Sequence, residues 1–74
     1  MKKVKKEFLE DIRDFILDEL DAWHNEKNPA VKYSLSKIEK ANMLAINLSH
    51  FISYVEDMGL DISNERTKRY VKEN

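Results

Sequence analysis

An all-α fold is predicted for this chain, arranged as an antiparallel helical hairpin with a short C-terminal third helix. Three observations point there. The 74 residues include one glycine and one proline, and each sits where a helix would stop or start. Two long stretches repeat their apolar residues at helical spacing, whereas a half-buried strand would alternate. The apolar seams of those stretches also match when one is laid antiparallel to the other. A single domain, residues 1–74, fits this length, and so short a chain buries only about 60% of its unfolded surface, so its stability is marginal.

The first helix is expected over about residues 4–24. At about 100° per residue, Val4, Phe8, Leu9, Ile12, Phe15, Ile16, Leu20, Ala22 and Trp23 fall within one arc of about 160°. In heptad terms Leu9, Ile12, Ile16, Glu19 and Trp23 form the seam, with Phe8, Phe15 and Ala22 beside it. His24-Asn25-Glu26-Lys27-Asn28-Pro29 breaks the pattern.

A short helical or irregular lead-in follows Pro29, and a second helix is expected over about residues 36–58. Ser36-Lys37-Ile38-Glu39 reads as a capping box at its start, and Gly59 as a left-handed stop at its end. Its seam is Ile38, Ala41, Ala45, Leu48, Ile52 and Val55, flanked by Leu44, Phe51 and Met58. Antiparallel pairing sets Trp23 against Ala41, Glu19 against Ala45, Ile16 against Leu48, Ile12 against Ile52 and Leu9 against Val55. The largest side chain thus meets a small one, as dense packing requires. A third helix is expected over about residues 63–72, capped by Asp61 or Ser63. With only Ile62, Tyr70 and Val71 as apolar contacts, it should dock lightly or fray.

Charge is distributed in blocks. The formal net charge of −1 conceals +4 over residues 1–6, −7 over 7–26, +3 over 27–40, −4 over 41–65 and +3 over 66–74. Glu7, Glu10, Asp11, Asp14, Asp18 and Asp21 fall within about 100° of the first helix, a carboxylate row with only Arg13 at its margin. Like charges one turn apart cost helix stability. Such a row suits a basic protein surface, or imitates nucleic-acid phosphates. The simpler reading is a solvated face, neutralised by Lys2–Lys6 or by the basic tail of a neighbouring chain. On the second helix, Met43, Ile46, His50 and Tyr54, with Asn47 between them, form a further stripe about half the circumference from the seam. A hairpin cannot cover both stripes, so this one is expected to meet a partner, a second copy, or the third helix.

Chemistry finds little support. No cysteine is present, which excludes disulfides, thiolate metal sites and cysteine nucleophiles. His24 and His50 are the only imidazoles, and neither sits in a ligand-like set, so no metal or other cofactor is expected. Glu19 is the one acid in the core register; it is expected to snorkel to water or to accept a hydrogen bond from Asn42 rather than to act as a general acid or base. Neither a Gly-rich phosphate loop nor a nucleophile–His–acid set occurs. Ala41–Tyr54 half fits a helix-turn-helix, but Leu48–Asp57, its recognition helix, contains no Lys or Arg to contact phosphate. Arg66–Lys72 is a weak candidate for nucleic-acid contact. No apolar run is long enough to span a membrane and no signal-peptide core follows Met1, so a cytoplasmic protein is expected.

In size and architecture the chain resembles small plasmid- and phage-encoded regulators and inhibitors. The functional expectation is a non-enzymatic helical interaction protein that regulates or inhibits a macromolecular partner. It should self-associate as a homodimer, because two helices of this size do not easily stabilise themselves alone. An acidic DNA-mimic inhibitor is the main alternative, a small nucleic-acid-binding regulator the next.

Overall fold

The structure, a computed structural model, describes residues 5–71. It is helical, with no strand among the described residues. Helix α1 spans Lys6–His24, the single turn α2 Pro29–Lys32, the long α3 Leu35–Asp57 and the short α4 Glu65–Tyr70. The two long helices pack against each other, and α2 sits against α3 at the connecting end. Val4 and Lys72, at the expected limits of the first and third helices, lie outside the described residues.

Local chemistry accounts for the breaks. Asn28 accepts from the Ala30 amide at 3.0 Å, and Pro29 takes the first turn of α2, where its missing N–H goes unfelt. Ser34 rather than Ser36 precedes α3; its hydroxyl donates back to the Val31 carbonyl at 2.9 Å, so the turn from α2 supplies the start that a capping box was expected to supply. Gly59 terminates α3 at φ 86°, the left-handed geometry foreseen for it. The Gly59 amide reaches the Glu56 carbonyl and the Leu60 amide the Val55 carbonyl, which closes the last turn. Asn64 then opens α4 through a reciprocal box with Thr67. Its side chain accepts from the Thr67 amide at 3.0 Å, and its own amide donates to the Thr67 hydroxyl at 2.9 Å.

The core comprises Leu9, Leu17 and Leu20 of α1, Ala41, Leu48, Ile52 and Val55 of α3, and Ile62 from the segment that follows. Of the expected α3 seam, Ala41, Leu48, Ile52 and Val55 are buried and Ala45 packs against them half-buried, while Ile38 stands half-buried outside the core cluster. On α1 the buried face is rotated: Leu17, outside the expected arc, is fully buried, while Phe8 and Phe15, inside it, are 58% and 69% exposed. The cause is a second neighbour. Ile62 and Thr67 are both fully buried, and the chain around them lies along the side of α1 that carries Arg13. That helix therefore faces two elements, and its apolar contact centres between them. Glu19 moves out of the core with the same rotation and pairs with Lys40 at 3.4 Å, not with Asn42.

The C-terminal segment is correspondingly better held than its composition suggested. Arg13, only 8% exposed, donates from Nη1 to the Ile62 carbonyl at 2.8 Å and from Nε to Asp14 at 2.9 Å. A buried guanidinium is tolerated here because its donors have partners. Leu17→Ala is expected to cost about 3 kcal/mol, whereas Leu35→Ala, at an exposed position, should cost under about 0.5 kcal/mol. Urea denaturation of both variants checks the rotated face; equal effects would contradict it.

Candidate functional site

Three surfaces qualify: the acidic row of α1, the outer stripe of α3, and a cleft at the connecting end of the long helices.

The row is largely occupied from within the chain. Arg66 of α4 places Nη2 2.8 Å from Asp18 and 2.8 Å from Asp21, and Nη1 4.0 Å from Asp14. Arg66 holds Asp21 Oδ2, while Arg69 lies 3.6 Å from Oδ1 and the Tyr70 hydroxyl donates to that same Oδ1. His24 meets the Tyr70 ring edge-on at 6.5 Å between centroids. Glu10 shares Arg13 at 3.6 Å. Among the described residues, no ion pair reaches Glu7 or Asp11, both exposed. The half of the row nearest the end of α1 is therefore a docking strip for α4.

This arrangement perturbs the groups that build it. The Tyr70 hydroxyl, then Arg66 and Arg69, hold the Asp21 carboxyl below the usual carboxylate range, against the opposing effect of its own burial. Burial first, and the Asp21 bond second, push the Tyr70 phenol upward. The bonds to Asp18 and Asp21 raise Arg66, which stays protonated at any pH of interest.

The α3 stripe is placed differently. Met43, Ile46, Asn47, His50 and Tyr54 are all exposed. Met43 and Tyr54 show 63% and 74% of their surface to solvent. α4, one expected cover for the stripe, lies on α1 instead.

The cleft, of about 150 Å³, is lined by Trp23, Val31, Lys32, Lys37, Ala41 and Leu44, with the Glu19–Lys40 pair among its walls. Trp23 and Ala41, matched in the sequence register, share it. The Trp23 indole donates to the Lys32 carbonyl at 2.9 Å, and the Lys32 ammonium sits 5.2 Å from the indole centroid. Among the described residues, no set of three His, Asp or Glu side chains is placed to hold a metal ion.

Reading the sequence alone missed the pairing of Arg66 and Tyr70 with the acidic row. Its signal was present as the +3 block over residues 66–74 facing the −7 block over 7–26. Comparison with family models, curated proteins and solved structures finds no match to this chain.

Because Asp21 titrates lower in the folded chain than when unfolded, its contribution is complete above the unfolded value near 3.8 and is lost as pH falls through the folded one. Tyr70, raised, loses its contribution only as pH climbs past its ordinary value of 10.0. Protection of the α4 amides, taken as exchange relative to the intrinsic rate at each pH, is thus expected to hold between these limits and to fall in acid. At neutral pH, Asp21→Asn should raise tryptic cleavage after Arg66, Lys68 and Arg69 about tenfold. Unchanged cleavage would mean that Asp21 does not hold α4.

Proposed function

We propose that this chain is a non-enzymatic interaction protein that regulates or inhibits a macromolecular partner, and that the Met43–Tyr54 face of α3 is its main contact surface. The observation that carries this reading is the uncovered stripe. Met43, Ile46 and Tyr54 stand exposed on a helix whose opposite face supplies Ala41, Leu48, Ile52 and Val55 to the core. Neighbouring apolar side chains at helical spacing on an outer face are the pattern of a helix that meets another surface. Asn47 and His50 among them supply hydrogen-bonding groups that fix orientation within an otherwise apolar contact.

The acidic row supports a DNA-mimic reading less well. Asp14, Asp18 and Asp21 face Arg66 and Arg69 of the same chain, so a basic partner would compete with α4 for carboxylates that already have cations beside them. Within the row, Glu7 and Asp11 are the carboxylates that no ion pair among the described residues reaches. Too short a strip remains to imitate an extended phosphate backbone. Direct nucleic-acid binding through the tail meets the same obstacle, since Arg66 and Arg69 are already paired with carboxylates.

Self-association as a dimer of antiparallel hairpins in a cytoplasmic setting completes the proposal. No helix among the described residues is long and apolar enough to cross a membrane.

Affinity capture from the native host distinguishes the two surfaces. The pair Ile46→Asp and Tyr54→Asp is expected to abolish capture of the partner at both 0.15 and about 0.5 M salt, because apolar contact is barely screened. Glu7→Lys with Asp11→Lys should leave capture nearly unchanged. The reverse pattern, with capture lost on charge reversal and at high salt, would favour the acidic row.

A further inference from the structure

The exposed phenylalanines of α1 have no place in the core, in the α4 contact or in the α3 stripe. Phe8 and Phe15 are exposed and the intervening Ile12 is half-buried. At about 100° per residue, these three and Glu19 share an arc of about 60°, on the side of the buried face away from α4. The ion pair between Glu19 and Lys40 ties that flank to one flank of α3. By the same periodicity Leu44, Phe51 and Met58 share the flank with Lys40, Met58 exposed and the other two half-buried. Two apolar rows, one from each long helix, thus form one continuous face.

That face is self-complementary. Lys5 lies seven residues before Ile12 and Glu19 seven residues after it. A two-fold axis crossing α1 at Ile12 brings Lys5 of one copy to Glu19 of the other, twice, and sets Phe8 near the second copy's Phe15. Among the described residues, no ion pair reaches Lys5 or Lys6. These lysines also stand at the start of α1, where the helix dipole disfavours cations and no side chain caps the helix. A carboxylate arriving from a second copy relieves both defects. Parallel pairing would instead set Lys5 against Lys5 and Glu19 against Glu19.

We infer that the occupant of this face is a second copy of the same chain. It docks antiparallel about an axis near Ile12, so that α1 and α3 of both copies form a four-helix arrangement with α4 and the Met43–Tyr54 stripe on the outside. The inference rests on the proposed self-association and adds to it the face, the direction and the charge pair. It also leaves the stripe free for a foreign partner while the dimer persists.

The absence of native cysteine makes the direction testable. Ile12→Cys is expected to form an intermolecular disulfide with itself on mild oxidation. Lys5→Cys and Glu19→Cys should each fail to cross-link alone and should cross-link when the two variants are mixed. Self-cross-linking of Lys5→Cys would overturn the antiparallel direction. In sedimentation equilibrium at high micromolar concentration, Phe8→Glu with Phe15→Glu should be monomeric, while Ile46→Asp with Tyr54→Asp should remain dimeric. Glu19→Lys should weaken the dimer at least tenfold, and adding Lys5→Glu to the same chain should restore it. A dimer insensitive to the Phe8 and Phe15 changes overturns this face but leaves self-association standing; a wild-type monomer overturns both. Helical circular dichroism on every variant separates loss of the dimer from loss of the fold.

Discussion

The clamp between α1 and the chain beyond Gly59 sets the layout of the rest of the molecule. Arg13 holds the Ile62 carbonyl, and Asp21 receives Tyr70, Arg66 and Arg69. These polar bonds flank two fully buried side chains, Ile62 and Thr67, and the two kinds of contact depend on each other. Exposed ion pairs alone are worth little. Burial of a six-residue helix offering few apolar side chains is worth little alone as well. Together they hold a C-terminal segment that neither would hold separately, and they decide which face of α1 looks inward.

The rotation of α1 follows from that clamp and has consequences along the chain. A helix packed against α3 alone would centre its apolar arc on Ile12 and Ile16, as hydrophobic periodicity indicates. With α4 beside it, Leu17 is drawn inward and Phe8 and Phe15 are turned out. Glu19 leaves the seam and finds Lys40 across the opposite flank. A chain this small has no spare apolar surface with which to satisfy both neighbours and still cover its phenylalanines.

Helix positions were legible because their signals are local. Asn28-Pro29 and Gly59 punctuate the chain through backbone restrictions that no distant contact overrides, and the α3 heptads run without a polar interruption from Ile38 to Val55. The α1 face was not legible, because its deciding residue is an arginine. Arg13 counts as polar in any hydrophobic pattern, yet its stem packs inward while its guanidinium is satisfied by a carbonyl 49 positions later. Likewise the opposite charges of residues 7–26 and 66–74 could be counted, but their meeting within one chain depends on the turn at Gly59 and on the burial of Ile62. By sequence the acidic row is unbalanced within its helix, and the tail looks too polar to fold back onto it.

A molecule of this size that spends its C-terminal helix on one flank of α1 leaves the other flank and the back of α3 uncovered by its own described residues. The two surfaces differ in kind. The Phe8–Phe15 flank carries charges of opposite sign at equal distances from its centre, a symmetry that favours its own copy over an unrelated surface. The Met43–Tyr54 stripe has no such internal symmetry and no charged residue among its five positions, so it suits a partner selected by shape and hydrogen bonding. In the proposed arrangement these demands fall on separate faces, so that self-association would stabilise the marginal fold without consuming the surface proposed for a foreign partner. The clamp at Asp21 maintains the layout of α1: with α4 released, Asp18 and Asp21 would lose their cations while Asp14 kept Arg13, and α1 would lose the contact that turns its phenylalanines outward.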